Sequence, residues 1–202
     1  MVRYRKNNVR SAEFSLMRKK ALSLIRPLVD AYVGGKLGLP EFNAKHARVS
    51  VERNFWGFPA FSGQLFLNQL IQGTVDAEEL SRVLAGFLAL PGSLDEAIAK
   101  MERAVVSIEG IHMEGMPFRR ACLPYFASYF WQVKNPQGLP VFYASSRDAL
   151  VSLGYDFVAP SFLETYRNYC RIYIELASGV VSEHRFWEVE YALLYSRQKE
   201  DE

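Results

Sequence analysis

The residue types that most often perform catalysis or bind metals are few and scattered in this chain. Its three histidines, His46, His112 and His184, stand far apart in the sequence, so no two have the spacing of a metal-binding pair on one helix. Cys122 and Cys170 are also distant from each other, and neither has a Cys-x-x-Cys partner. We therefore predict no metal site, no disulfide framework and no cofactor.

One segment near the end of the chain combines an imidazole with several carboxylates. Glu183, Glu188 and Glu190 flank His184, and a helix would place Glu183 and Glu190 two turns apart on one face. Proton-transfer chemistry requires such groups to line a pocket. A solvated helix face is the ordinary interpretation of this pattern, and we favour it over a catalytic one.

Nucleotide-binding and hydrolase motifs are missing from the sequence. Gly34, Gly35 and Lys36 resemble part of a phosphate loop, but Asp30 stands where its first glycine would be, and Leu37 replaces the required Ser or Thr. The sequence contains no G-x-S-x-G segment. We therefore predict that the chain is not an enzyme and that it acts by binding.

Basic residues are concentrated at the start of the chain. The formal net charge is only +2, but residues 1–26 contain eight Lys or Arg residues and one acidic residue, Glu13. Such a concentration of positive charge attracts phosphate groups through counterion release. The predicted phosphate contacts are Arg3, Arg5, Lys6, Arg10, Arg18 and Lys19. The alternative is a solvated terminus that only aids solubility.

A second group of basic residues brackets an aromatic segment. Five of the seven residues in YFASYFW, residues 125–131, are aromatic and would cover more than one face of a helix. Accessible aromatic rings stack on nucleobases, so we predict that Tyr129 or Trp131 contacts a base. The predicted phosphate contacts here are Arg119, Arg120, Lys134 and Arg147. The alternative is that the aromatic residues form the hydrophobic core.

The segments that position these residues are predicted to be mostly helical. Apolar residues recur at three- and four-residue spacing from residue 11 to residue 32 and in most later segments. The predicted helix caps are Ser62, Thr74, Ser93, Ser145, Ser161 and Ser182. Residues 47–55 alternate loosely and predict a short strand or an extended loop. The predicted fold is mainly α, a single helical domain of about seven helices with short accessory strands or extended loops.

The chain contains no linker long enough to divide it into two domains. We predict a basic N-terminal arm at residues 1–10, a helical domain at 11–197 and a charged C-terminal tail at 198–202. Charges interrupt every apolar run before membrane-spanning length, and the first residues lack a signal-peptide core. These features predict a cytoplasmic protein without a membrane partner.

Three blocks of the sequence resemble a known family. GFPAFSGQLFLNQL (residues 57–70), YFASYFWQVKNPQGLPVFYASSRDALVSLGY (125–155) and FWEVEYALLY (186–195) occur in an order that resembles the region N-terminal to the motor of McrB-type AAA+ restriction proteins. In that family the N-terminal region recognises DNA, while a motor and a nuclease subunit translocate and cut. The chain has no Walker motif, so the resemblance implies a recognition module of a restriction or antiviral defence system without its motor.

Two functions follow as expectations. The first is noncatalytic binding of nucleic acid, with DNA expected. The alternative is a helical adaptor that docks an AAA+ motor or a nuclease subunit, because the last helix carries more apolar residues than one core contact requires. The residues that suggest this second function are Phe186, Trp187, Val189, Tyr191 and Leu194.

Overall fold

The computed structural model describes residues 2–52, 63–116 and 118–200 of the chain, and side chains at residues 16, 18–20, 22–49, 63–116 and 118–193. Within those backbone ranges the chain forms nine α-helices and a 3-10 helix, Arg120–Cys122. The α-helices are α1 (Val2–Val33), α2 (Leu39–Glu52), α3 (Leu65–Gln72), α4 (Ala77–Leu88), α5 (Leu94–Gly110), α6 (Leu123–Lys134), α7 (Ala144–Ser152), α8 (Phe162–Ser178) and α9 (Arg185–Glu200).

Helix α6 is the central helix of the fold. All its residues from Leu123 to Val133 are buried except Tyr125, and it packs against α1, α4 and α8. A helix that is apolar on all sides belongs in the core of a protein. The mainly α fold with a single helical domain is therefore confirmed, and the aromatic density of residues 125–131 is explained by this position.

The other helices surround α6 in neighbouring pairs. Helix α1 packs on α2, α4 packs on α5, and α8 packs on α9. Helix α5 also contacts α8, while α7 lies against α9 and α1 reaches both α4 and α9. Buried residues of all these helices belong to one hydrophobic cluster, so the first and last helices close around the same core.

Several predicted helix ends are confirmed. The Ser93 hydroxyl accepts a hydrogen bond from the amide of Glu96 at 3.1 Å and caps α5. The Ser161 hydroxyl caps α8 by accepting from the amide of Leu163 at 3.2 Å. Gly73 ends α3. Each cap satisfies backbone groups that the first or last turn of a helix leaves without partners.

Two predicted helix caps are wrong. Helix α4 is capped by Asp76, whose carboxylate accepts from the amide of Glu79 at 2.8 Å, while the hydroxyl of Thr74 accepts from the amide of Asp76 at 3.2 Å. Helix α7 begins after Tyr143 without a side-chain cap, so Ser145 lies inside the helix. Asp is a stronger N-cap than Thr, so the ranking of capping residues agrees with the cap observed at α4.

Helix α2 is the largest departure from the predicted elements. Residues 47–55 were expected to be extended, but residues 39–52 are helical, and the described ranges contain no strand. Phe42, His46 and Val49 recur at helical spacing and face the core. A buried histidine at the centre of this face hid the apolar period in the sequence.

The two ends of the chain are more helical than predicted. Helix α1 begins at Val2, inside the predicted arm, and α9 extends to Glu200, inside the predicted tail. The hydroxyl of Ser182 accepts from the amide of His184 at 3.1 Å just before α9. The predicted cap Ser62 lies outside the described residues. The division into arm, domain and tail stays a prediction.

Candidate functional site

The aromatic residues expected to stack on bases are in the core. Tyr129 is 5% exposed and Trp131 is 1% exposed. The indole N–H of Trp131 donates to the carbonyl oxygen of Phe87 at 3.1 Å, and the Tyr129 ring meets Phe130 edge-on at 5.0 Å. Stacking on a base requires an accessible ring face. The predicted base contacts by these two residues are therefore corrected.

Tyr125 is the one residue of α6 between Leu123 and Val133 that is partly exposed. Its ring lies 5.9 Å from that of Tyr143, the residue that precedes α7. It belongs to the first turn of α6, close in sequence to Arg119. Because Tyr125 stood among four buried aromatic residues, its partial exposure was not apparent from the sequence.

Two of the predicted basic residues, Arg119 before α6 and Arg147 in α7, lie near Cys122, the residue that precedes α6. Burial raises the pKa of the Cys122 thiol, and the positive charges of Arg119 and Arg147 act in the opposite direction. Arg119 is exposed, and the guanidinium of Arg147 lies 4.7 Å from the ring centre of Phe142. We call Arg119, Cys122 and Arg147 the arginine corner.

The other two basic residues of this group are held by acidic partners. The Lys134 ammonium lies 3.1 Å from a carboxylate oxygen of Asp30, at the opposite end of α6. At 1.5 Å per residue, the two ends of α6 are about 16 Å apart. Arg120 is exposed but forms an ion pair with Glu109. The four predicted contacts therefore do not form one cluster.

Arg18 is inside the protein rather than on the predicted phosphate-binding surface. Its side chain is 7% exposed, and Nη2 donates to Oε2 of Glu190 at 2.7 Å. The guanidinium carbon also lies 5.2 Å from the ring centre of Trp187. Arg18 precedes the buried Ile25 and Val29 by seven and eleven residues, and this spacing places it on the core face of α1. Its predicted phosphate contact is corrected.

Lys19 remains on the surface of α1, as predicted. Its side chain and that of Lys20 are exposed. Lys19 is close enough to His184 for its charge to assist burial in lowering the pKa of that imidazole. The side chains of Arg3, Arg5, Lys6 and Arg10 lie outside the described residues.

Helices α1 and α6 run in opposite directions. Nε of Arg26 donates to the carbonyl oxygen of Val133 at 2.9 Å, near the end of α6. Eight residues earlier, Arg18 borders the same cavity as Tyr129 and Gln132. Because the two helices are antiparallel, α1 extends from Arg26 toward its first residue in the direction of the start of α6, where the arginine corner lies.

Glu190, which the sequence analysis assigned to a solvated helix face, is a buried carboxyl group. It is 2% exposed, and burial raises its pKa to about 7 against the opposing effect of Arg18. Helix α9 begins at Arg185, so Glu183 precedes the helix and does not share a face with Glu190. The available signal was spacing, because Glu190 lies four residues after Phe186 and three before Leu193, both buried.

A small cavity of about 30 Å³ lies beside this ion pair, between α1, α6 and α9. The indole N–H of Trp187 donates to Oε1 of Gln132 at 3.2 Å. An indole nitrogen can only donate, so this bond fixes the orientation of the amide. Nε2 of Gln132 finds no acceptor among the described residues. The cavity, which Gln132 lines, is large enough for ordered water.

A second buried polar group connects α2 with α3. Oε1 of Gln64 accepts from Nδ1 of His46 at 3.1 Å, and Nε2 of Gln64 donates to Oδ1 of Asn43 at 2.5 Å and of Asn68 at 3.3 Å. Burial lowers the pKa of His46 to about 4, so its imidazole is neutral near pH 7. Within the described ranges, no three His, Cys, Asp or Glu side chains are grouped to hold a metal ion.

Four apolar residues in the described part of α9 are buried in the core: Phe186, Trp187, Val189 and Leu193. Phe186, Trp187 and Val189 therefore do not contribute to the surface that suggested an adaptor. Tyr191 is partly exposed, and the side chain of Leu194 lies outside the described residues. An apolar groove of about 290 Å³ is nevertheless present between α7, α8 and α9. Its apolar lining residues are Leu153, Leu176, Val180, Val189, Ala192 and Leu193.

Comparisons with protein-family models, with curated proteins and with solved structures found no match for this chain. The resemblance of the three blocks to the N-terminal region of McrB-type proteins therefore stays a prediction from sequence. Part of the first block, residues 57–62, lies outside the described residues. The second block contains α6, α7 and the segment between them.

Proposed function

We propose that the chain is a noncatalytic nucleic-acid-binding module, with DNA as the expected ligand. The distribution of positive charge is the observation that carries this proposal. Eight of the first 26 residues are basic and only one is acidic, and helix α1, on which they lie, leads toward the arginine corner. Charge arranged in this way along one edge of a protein favours contact with successive phosphates.

The proposed phosphate contacts come from two elements. On α1 they are Lys19 and the basic residues of the first turns, Arg3, Arg5, Lys6 and Arg10. Positions 3, 6 and 10 are spaced by three and four residues, so the helical backbone from Val2 places them on one face. The second element is the arginine corner, which contributes Arg119 before α6 and Arg147 in α7. Arg18, Tyr129 and Trp131 take no part because they are buried.

The resemblance to McrB-type proteins supports a role for this module in a restriction or antiviral defence system. An AAA+ motor and a nuclease subunit are then the expected protein partners. Among the described helices, none has the length and apolarity to cross a bilayer. Cys122 and Cys170 are free thiols, which suits a reducing compartment, and we place the protein in the cytoplasm.

A second candidate function, docking of a motor or nuclease subunit, is favoured by the apolar groove between α7, α8 and α9. Leu153, which lines it, is 50% exposed. Exposed apolar grooves commonly receive a helix of a partner protein. The two functions differ in their ligand, because only the first one requires nucleic acid.

Fluorescence anisotropy with labelled double-stranded DNA, single-stranded DNA and RNA tests the proposed function. Binding to duplex DNA should weaken with salt, with log affinity falling by roughly 0.9 per phosphate neutralised for each tenfold rise in salt concentration. Arg119→Ala/Arg147→Ala should weaken binding and reduce this slope. The control is Arg103→Ala/Arg171→Ala, which removes the same charge from exposed positions on α5 and α8. No binding to any probe, or binding insensitive to salt, would reject the proposal.

A further inference from the structure

The beginnings of α6 and α7 meet at the arginine corner. The ring of Tyr125, in the first turn of α6, lies 5.9 Å from that of Tyr143, the residue that precedes α7. The amide of Phe142 donates to the hydroxyl of Ser128 at 3.0 Å. This hydrogen bond holds the start of α7 beside the second turn of α6, so the first turns of both helices lie at one place on the protein.

Each of these two helices brings one arginine to the corner. The amide of Cys122 donates to the carbonyl oxygen of Arg119 at 2.9 Å, which places Arg119 one turn before α6. The amide of Arg147 donates to the carbonyl oxygen of Tyr143 at 3.0 Å at the start of α7. The guanidinium carbon of Arg147 lies 4.7 Å from the ring centre of Phe142. The positive charges of both arginines act on the Cys122 thiol, so both arginines lie near the same residue.

The positive charges of this pair are not compensated by the described residues. Arg120 pairs with Glu109, but no ion pair within the described ranges includes Arg119 or Arg147. Arg119 is exposed, and the buried Nε of Arg147 finds no acceptor in the described part of the chain. Burial raises the pKa of the Cys122 thiol, so it is neutral near pH 7 and does not offset the two guanidiniums.

A terminal phosphate matches this pair of charges better than a phosphate inside a strand. A phosphate monoester carries a charge of about −1.5 to −2 near pH 7 and has three acceptor oxygens, whereas each phosphate inside a strand carries a single negative charge. Guanidiniums bind phosphate oxygens bidentately, so two of them can share a monoester. Neither α6 nor α7 begins with a side-chain cap, and the positive ends of both helix dipoles add to the attraction.

Tyr125 provides a contact that a nucleotide can make and a free phosphate cannot. Between Leu123 and Val133 it is the partly exposed residue of α6. It follows Cys122 by three residues, a spacing that puts the two residues on the same side of the helix. An aromatic ring beside a phosphate site can stack on a base. The base at the end of a strand has one face without a stacked neighbour, and Tyr125 is placed to cover that face.

We propose that the arginine corner binds the terminal phosphate of a nucleic-acid strand, with Arg119 and Arg147 on the phosphate and Tyr125 against the terminal base. This inference rests on the proposed function and deepens it, because it gives the corner a ligand that differs from the phosphates inside the strand. A 5′ phosphate and a 3′ phosphate share this chemistry, and separate probes distinguish them.

Fluorescence anisotropy with internally labelled oligonucleotides tests the inference on the full chain. Probes of one sequence, made of the type of nucleic acid that binds best, carry a 5′ phosphate, a 3′ phosphate or only hydroxyl ends. A hydroxyl-ended probe with one added nucleotide controls for total charge. At fixed salt, one kind of phosphorylated end should strengthen binding by about tenfold. Tyr125→Leu should weaken binding of that probe by about fivefold or more, and an unchanged affinity would overturn the base contact.

Arginine variants assign the preference to the corner. Arg119→Ala/Arg147→Ala should reduce it to about twofold or less, and Arg119→Gln, a change at an exposed position, should remove most of it. The control Arg103→Ala/Arg171→Ala should keep it, and circular dichroism establishes that each variant is folded. A preference that survives both changes at the corner overturns the inference.

The failure of this inference differs from the failure of the proposed function. Equal binding of the phosphorylated probes and the charge-matched hydroxyl-ended probe overturns the inference, while salt-dependent binding of all of them leaves the proposed function in place. No binding to any probe rejects both.

Discussion

Trp187 donates its indole N–H to Oε1 of Gln132 at 3.2 Å, and this bond connects α9 to the central helix α6. Both residues are buried, with exposed fractions of 2% and 6%. The bond leaves Nε2 of Gln132 beside the cavity that Arg18 also lines. A buried donor and a buried acceptor therefore depend on each other at the place where three helices meet.

Replacement of Gln132 by Met should destabilise the protein. The variant keeps the volume of the side chain but leaves the Trp187 N–H without an acceptor, which costs about 1–3 kcal/mol. Urea unfolding followed by circular dichroism measures the change. The double variant Gln132→Met/Trp187→Phe removes both partners and should be less destabilised than the sum of the single changes. Strict additivity would show that the bond contributes nothing.

Glu190 should make the free energy of unfolding depend on pH. Its pKa is about 7 when folded and near 4.5 when exposed, so its contribution is present below about pH 4.5 and is lost as pH rises through 7. Relative to that of Glu190→Gln, the free energy of unfolding of the wild type should rise by on the order of 3 kcal/mol as pH is lowered from about 8 to about 4.5. Urea titrations of both proteins across this range measure the gain; a constant difference would contradict the assignment.

His46 should have the opposite effect over a similar range. Its pKa is about 4 when folded and 6.5 when exposed, so unfolding below pH 6.5 lets the imidazole take up a proton. The stability that His46 provides is present above about pH 6.5 and is lost as pH falls toward 4. Relative to that of His46→Gln, the free energy of unfolding of the wild type should fall by on the order of 3 kcal/mol as pH is lowered from about 6.5 to about 4. Titration of the His46 imidazole by NMR checks this directly, because a pKa near 6.5 in the folded protein would contradict the prediction.

Two glycines provide a matched pair of substitutions. A Cβ atom at Gly73 would collide with Cε1 of His112 and lie 2.9 Å from the carbonyl oxygen of Gln69, whereas a Cβ at Gly86 would meet nothing within 4 Å. Gly73→Ala should therefore destabilise the protein by about 1–3 kcal/mol. Gly86→Ala lies inside α4 and should stabilise it by about 0.5–1 kcal/mol. Thermal unfolding measures the Tm of both variants, and equal changes in Tm from the wild type would contradict this prediction.

Helix type and position followed from the sequence wherever apolar spacing and a cap agreed. Ser93 and Gly73 mark real helix ends because capping depends on residues that are adjacent along the chain. The aromatic density of residues 125–131 predicted a binding surface, but these residues belong to the core helix α6. A buried aromatic residue and an exposed one have the same local pattern, so Tyr125 and Trp131 were indistinguishable.

The buried ion pair between Arg18 and Glu190 could not be predicted from local sequence patterns. Arg18 and Glu190 are 172 residues apart, and each alone looks like a surface charge. Their common signal is a charged residue at an apolar position of its helix, which a search for catalytic spacing ignores. Likewise, the length of α6 separates Lys134 from the arginine corner, and a count of charges along the sequence does not include that length.

The pairing of α1 with α9 also affects how the chain acquires its structure. During synthesis Arg18 emerges long before Glu190, so their ion pair forms only after the last helix has been made. Contacts of such large sequence separation slow folding because the entropy of closing the loop is lost before the contact forms. A nascent chain that stops before Arg185 consequently lacks the Arg18–Glu190 ion pair and the contacts of α9 with α1, α7 and α8.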